Sequence, residues 1–581
     1  MNRPRARQIS SRHHTDRRYL ILDGYVDEPA SLGVPPYLSP MVRSVAGGLV
    51  SGGADHDDIG YITVDQWRYL RGEGKSLSDP KMEAVFCVMG CLVPGKYLRG
   101  TPISRREVIE LESEIGDAIL ILVGGGGSAV ESDHVDAPKG DPGVIAESFS
   151  RTGRIEGRDR NRSEWNQHLI RGAFIAGLHP DNPSPLICEI EIARGCVRYI
   201  SAGCSFCIEP GKGPIQFREP ADIIEEVSYL AEAGVLNIRI GGQSDLISYM
   251  SPEAGLSETP VPDPDAIGDL FRGVRDALHG GPEMKKAISR GLRLDIDCGI
   301  IHTDNANPSV IAAHPEESAR IIGHIARYGS PGSVLALGLE STDPEVREIN
   351  NLNSGPDEAM TAVEIINGIG RDRGINGMPK ILPGINFLGA LPGQTERSFA
   401  GDTAFLCDIY DRGLMVRRIN IRAALYPDSG GRPRPKWENA SIRRAFRKFK
   451  EEVRNDLDVL FLRRMLPEYS VLKGVFMEAS LGNVHFGRQV GSYPILVGIG
   501  NSVDMGVFID AAVTSVSSRS VGGFSVPFPV NRVPYRDLTS LPGVGKKRAA
   551  AIFRGRPVSH DDLRAILEDG HPVLHHIDYS E

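Results

Sequence analysis

Residues Cys188 to Cys207 read C-E-I-E-I-A-R-G-C-V-R-Y-I-S-A-G-C-S-F-C. An apolar-rich strand runs into a loop that carries Cys196, Cys204 and Cys207, three thiols within twelve residues. Three thiolates can hold one [4Fe–4S] cube and leave its fourth iron free for a ligand the protein does not supply. A zinc site would want a fourth ligand nearby. Free cysteines are among the most buried residues, but three so close together in a chain with eight overall argue against that plain reading.

R-G-C followed by C-S-F-C, at the end of what reads as the first strand of a β/α repeat, resembles the radical SAM superfamily, in which S-adenosylmethionine (SAM) takes the open iron. The usual spacing there is C-x3-C-x2-C. This chain has C-x7-C-x2-C, with four extra residues between the first and second thiols. The resemblance implies a [4Fe–4S] cluster and SAM as cofactors, an enzyme that reductively cleaves SAM, and an electron donor such as ferredoxin or flavodoxin.

At 581 residues the chain is too long for one core and predicts three or more domains. A net charge of −9 excludes a chain that is basic throughout, so any nucleic-acid contact must come from local patches. Eight cysteines without regular spacing suggest no disulfide framework, and an oxygen-sensitive cluster favours a reducing compartment. No apolar run reaches bilayer-spanning length, and the Arg-rich start lacks the apolar core of a signal peptide. The expectation is a soluble, cytoplasmic protein with no membrane partner.

The overall reading is an α/β chain. Residues 1–18 carry six arginines and almost no apolar content, a disordered basic tail. Residues 19–130 alternate strands and helices as a small doubly wound domain would. This part is similar to the Rossmann-like domains that precede radical SAM barrels in cobalamin-binding members and in tRNA methylthiotransferases, which leaves cobalamin open as a third cofactor. The D-x-H-x-x-G signature is absent, since Asp55 and His56 are adjacent. Methylthiotransferases hold an auxiliary cluster here on three cysteines, and only Cys87 and Cys91 are present. The four-glycine turn Gly124–Gly127 reads as a plain turn, and residues 131–184 as a linker with one short helix near Trp165.

Strand candidates at Leu236–Gly242, Leu292–Ile300, Ser333–Glu340, Lys380–Ala390 and Arg417–Leu425, separated by helical patterns, complete a partial (β/α)6 TIM-type barrel over 185–430. Chemistry in such barrels sits at the C-terminal strand ends. Gly241, Gly242 and Gln243 end the second strand, where the superfamily has G-G-E binding the SAM amino group; Gln keeps an acceptor and drops the charge. Glu340 and Ser341 end the fourth, where family members contact the ribose or methionine moiety. Asp295, Asp297 and His302 end the third-strand candidate as substrate-facing or catalytic candidates, and Cys298 is a radical-relay candidate. A structural role is the competing reading for each.

A basic helical connector fills 431–468, and 469–530 alternates apolar and polar residues between glycine turns, as a small β-barrel does. That pattern resembles the RNA-binding TRAM barrel of many methylthiotransferases. Residues 531–581 contain L-T-S-L-P-G-V-G-K-K-R-A-A-A-I-F, which resembles a helix-hairpin-helix. Gly543 and Gly545 let backbone approach a phosphate, and Lys546, Lys547 and Arg548 add charge at a helix start. The predicted partner is an RNA or DNA backbone. The layout as a whole resembles archaeal-type radical SAM proteins with a C-terminal helix-hairpin-helix. The leading expectation is a radical SAM enzyme acting on a nucleic acid, a tRNA or other RNA base, with methylthiolation as one outcome. The alternatives are a cobalamin-assisted methylase or mutase on a small molecule, and a non-catalytic iron–sulfur nucleic-acid-binding protein.

Overall fold

The computed structural model describes residues 17–26, 32–90, 100–125, 135–426, 434–567 and 571–580. The basic tail falls almost wholly outside these residues, as do Cys91 and the last two glycines of the Gly124–Gly127 turn.

Strand β1 (Tyr19–Asp23) is apolar up to its last residue because both of its faces are covered. Tyr19 and Ile21 enter one core, Leu20 and Leu22 another. The next strand, β2 (Tyr37–Leu38), leaves this sheet and adds to the barrel described below. β3 (Ile59–Thr63), β4 (Ala84–Val88), β5 (Ile119–Val123) and β6 (Val135–Asp136) join β1 in an all-parallel sheet of order β3-β1-β4-β5-β6. The strand order reverses between β1 and β4, which makes their carboxyl ends a topological switch point. The stretch 131–184, expected to be a linker with one short helix, holds two helices, Pro142–Thr152 and Arg162–Arg171. Both press on the helix Pro40–Ser51, where Gly47 and Gly48 leave no room for a side chain against the backbone of His168 and Gly143.

The barrel begins with β7 (Ile187–Glu191). β8 (Ala193–Arg194) and β9 (Gln216–Phe217) follow as a two-residue antiparallel ladder. Then come β10 (Ile238–Gly241), β11 (Ile301–His302), β12 (Asn305–Ala306), β13 (Ser333–Glu340), β14 (Ile381–Gly389) and β15 (Arg418–Ala423). Two four-stranded parallel sheets, β11-β10-β7-β2 and β12-β13-β14-β15, meet where the third strand is broken into β11 and β12. The result is a partial barrel with β2 and β15 at its open edges.

The third strand lies downstream of Leu292–Ile300, where it was expected. L-R-L-D-I-D alternates like a strand, but Asp295 is left-handed (φ 59°) and its N–H closes on the Cys298 carbonyl at 2.8 Å, making a tight turn. Asp295, Asp297 and Cys298 therefore sit at the N-terminal foot of the barrel, opposite the strand ends that carry chemistry.

A helix Ala440–Glu452, a π-type turn and a helix Asp458–Met465 lead to a closed barrel of five strands, β16 (Val471–Leu481), β17 (Val484–Gln489), β18 (Leu496–Ile499), β19 (Phe508–Val516) and β20 (Ser520–Val526). It plugs the foot of the larger barrel. Arg293 bridges Asp297 and Asp510, the Ser492 N–H donates to His302 Nδ1 at 2.8 Å, and Tyr493 donates to Asp304 at 2.6 Å. Last come a short helix Tyr535–Leu538, a turn with Gly543 at φ 69°, and helices Lys546–Gly555 and His560–Leu567, joined by one apolar core. Among the described residues no helix is long and apolar enough to cross a membrane.

Candidate active site

The β8–β9 ladder pinches the neck of the cysteine loop, so Cys196, Cys204 and Cys207 stand together above the carboxyl end of β7. The four extra residues have a structural use. Cys196 caps a 3-10 turn, Val197–Ser201, and the left-handed pair Ala202 and Gly203 turns the chain back toward Cys204. That turn also delivers the buried Arg198, which donates from Nη1 to Cys204 Sγ at 3.1 Å and from Nε to Glu258 at 3.0 Å.

Every thiol in the loop has a donor. The Arg198 N–H reaches Cys196 Sγ at 3.4 Å, and the backbone N–H groups of Asn353 and Glu209 serve Cys204 and Cys207. Burial nevertheless pushes all three thiols up, Cys207 to about 11. Among the described residues no three His, Cys, Asp or Glu side chains stand as a closed metal-ligand group in this arrangement. The chemistry of the donor set fits an iron–sulfur cluster: three thiols with N–H donors around them are what stabilises bound thiolates, and metal binding deprotonates a thiol outright. Cys188, by contrast, is buried in β7 with its thiol pushed up to about 12, and Cys87 is likewise sealed in β4.

At the end of β10, Gly242 is left-handed at φ 67°, a Cβ on it would meet Glu191, and a Cβ on Gly241 would meet the end of the Glu189 side chain. Gln243 is buried, its amide NH2 donates weakly to the Ile240 carbonyl at 3.4 Å, and its Oε1 meets no partner. An orphaned acceptor beside the cysteine loop fits the SAM ammonium group.

Glu340 sits on a bulge of β13, with φ 65°, and the Ser341 N–H bonds back to the Leu339 carbonyl at 2.8 Å. That three-residue turn is strained, and strain of this kind collects at ligand sites. The Glu340 carboxyl lies within electrostatic reach of Cys204. Loss of water and the nearby Asp402 push it up to about 8. Ser341 is buried and its hydroxyl accepts from the Asp343 N–H, a structural bond.

The other sequence candidates are structural. Asp297 takes both ends of the Arg293 guanidinium, Asp295 pairs with Arg275 at 2.7 Å, and the Cys298 thiol is pushed up to about 12 by burial. His302, on β11, is held neutral, down at about 4, by burial, and is pinned between Ser492 and the Pro331 carbonyl. Residues missed in the sequence line the lumen instead: Arg239 pairs with Glu189 and Asp304. The half-polar run I-I-H-T-D-N-A was the signal for Asp304.

The Radical SAM superfamily model matches residues 190–401. An uncharacterized protein of Methanocaldococcus jannaschii is 38% identical over 530 residues, covering 87% of this chain and 93% of its own. A tRNA-2-methylthio-N(6)-dimethylallyladenosine synthase of Mycobacterium marinum is 35% identical over 122 residues, 20% of this chain and 22% of its own. Among solved structures, the radical SAM methyltransferase TsrM of Kitasatospora setae matches with a TM-score of 0.41 at 16% identity, over 67% of this chain and 71% of that one.

Proposed function

We infer the reaction from a fixed premise: this chain belongs to the radical SAM superfamily and is an enzyme that uses a [4Fe–4S] cluster and SAM. Cys196, Cys204 and Cys207 hold the cluster, and the observation that carries this is the ring of donors around those three thiols. A cluster held by these residues would supply, with SAM bound and an electron from a donor such as ferredoxin or flavodoxin, the reductive cleavage of SAM to methionine and a 5′-deoxyadenosyl radical. Gln243 Oε1 accepts from the SAM ammonium, and Glu340, aimed into the site by its strained turn, orients the ribose or methionine end.

The substrate is a nucleic acid, an RNA base foremost. Support comes from the terminal hairpin: Gly543 takes the left-handed conformation, Gly545 caps the helix Lys546–Gly555 with open space around it, and Lys546, Lys547 and Arg548 form its first turn. Backbone N–H groups and cations at a helix start suit phosphates. The M. marinum relative, named for a modified tRNA base, points the same way over one fifth of this chain.

A cobalamin-assisted reaction has one observation in its favour, the doubly wound N-terminal sheet with its switch point between β1 and β4. The carboxyl edge there carries Asp23 and Tyr25, with Tyr61 donating to Asp23 and the His179 ring 6.0 Å from that of Tyr61.

Anaerobic incubation with SAM and dithionite tests the chemistry by release of 5′-deoxyadenosine, and mass spectrometry of co-purifying RNA tests the substrate. Each single Cys→Ala change at 196, 204 or 207 is expected to abolish cluster retention and SAM cleavage, because losing one thiolate exposes a second iron. Wild-type iron content in any one of them would move the ligand assignment elsewhere.

A further inference from the structure

A second cationic site lies at the foot of the barrel, away from the cysteine loop. A cavity of about 250 Å³ opens between the start of β15, the helix Asp458–Met465 and two turns of the small barrel. Its lining includes Arg417, Arg418, Arg454 and Arg519 against a single carboxylate, Asp458, already bridged to Arg454. Four guanidinium groups and one carboxylate leave three positive charges uncompensated. Arg422 on the same strand and Lys450 on the helix Ala440–Glu452 add to the surplus, since both bear electrostatically on Arg519 or on its neighbours.

Arg454 is taken up by Asp458 and the Ile419 carbonyl, but the other three guanidinium groups are not used up by the fold. Arg417 donates from Nη2 to the Tyr493 carbonyl, while its Nε is buried and meets no partner. Arg418 lies 3.8 Å above the Tyr493 ring. Arg519 reaches Asp458 only at 4.0 Å and is well exposed. Burial, then the neighbouring Arg418, lower Arg417 to about 10. Like charges held this close in a concave site raise the free energy of the empty cavity, and an anion bound there relieves it. Planar forks with free N–H groups match the tetrahedral oxygens of a phosphoryl group.

We propose that this cavity binds a phosphoryl group, carried either by a polynucleotide or by a small phosphate ester. The terminal hairpin is a separate cationic element, so the two are tested apart. The probe is inorganic pyrophosphate, titrated calorimetrically into the full chain, with a short single-stranded RNA as the second arm. Arg519→Gln is the chosen variant because its side chain is exposed on a turn and holds no other element in place. Arg272→Gln, on the outer face of the helix Pro264–Gly280, is the control for net charge.

Wild type is expected to bind pyrophosphate, Arg519→Gln to bind it about tenfold more weakly, the loss of one charge-assisted hydrogen bond, and Arg272→Gln to bind it as wild type does. Loss of RNA affinity in Arg519→Gln as well assigns the group to a polynucleotide. An unchanged RNA affinity beside weakened pyrophosphate binding assigns it to a small ester. No pyrophosphate binding by wild type, or equal binding by Arg519→Gln and wild type, overturns the site.

Discussion

Arg198 owes its place to the residues that lengthen the cysteine loop, and among the described residues its guanidinium brings a full positive charge to a candidate cluster thiol. A cation there stabilises the more negative, reduced state of a cluster. Arg198→Gln is expected to make the reduction potential more negative by about 60 mV, the one-electron equivalent of roughly 1.4 kcal/mol, with iron content unchanged. Redox titration under argon measures it; an unshifted potential would separate Arg198 from the cluster. Asp23 shows the opposite situation, a buried carboxyl that among the described residues is served only by a hydroxyl and an N–H. Burial pushes it up to about 7 from 3.8, against the pull of the Tyr61 hydroxyl and Tyr25 N–H. Its contribution to stability is complete below pH 3.8 and is lost as pH rises through about 7, because only the folded chain then keeps the proton. Asn stays neutral throughout. Asp23→Asn should therefore match wild type near pH 4 and exceed it at pH 8, by up to about 4 kcal/mol, read as the shift of the thermal midpoint at each pH. Residues of this kind are only half legible in a sequence. The three loop cysteines stand out by their spacing, whereas the sequence does not tell that a Cβ at Gly241 or Gly242 would meet Glu189 or Glu191.

At the scale of elements, strands covered on both faces were readable, since β13 and β14 are runs of apolar residues ending in glycine or acid where expected. The third strand was not. Its true segment is short and polar because its inner side must supply Asp304 to Arg239 and Tyr493, while the preceding turn imitates strand alternation with D-I-D. That one slip moved Asp295, Asp297 and Cys298 from the catalytic end to the foot. The stretch 131–184 misled through composition: its Gly and Asp residues are helix caps and close-packing points, as Asp141 and Gly143 show at the helix Pro142–Thr152. The terminal hairpin carries its own prediction. Changing Lys546, Lys547 and Arg548 together to Gln should weaken RNA binding and flatten its log-salt slope by up to about three, while 5′-deoxyadenosine release without substrate persists. Filter binding across a salt series decides it. An unchanged slope would make the hairpin a protein contact.

In the whole molecule, the small barrel is held against the foot of the large one by the apolar contact of Met378 and Leu382 with its core and by an ion bridge at Arg293. Its guanidinium spans Asp297 in the large barrel and Asp510 in the small one, each at 2.8–2.9 Å, and the paired carboxylates hold it well above its ordinary pKa. Asp297 is only 3% exposed, so removing Arg293 strands a carboxylate away from water. Breaking such a pair costs more than the pair contributes, because the unpaired charge keeps its desolvation penalty. Arg293→Met is expected to weaken docking of the small barrel by roughly 2–3 kcal/mol, seen as faster amide exchange in β16 and β19 than in β13. The double change Arg293→Met with Asp297→Asn should recover part of that loss, since no buried charge is left behind. Anaerobic SAM cleavage should survive both, because Arg293 lies at the opposite end of the barrel from Cys196, Cys204 and Cys207. Exchange in β16 and β19 that stays at wild-type rates in the single variant would place the joint elsewhere, in the Tyr493 plug between Arg239, Arg418 and Asp304.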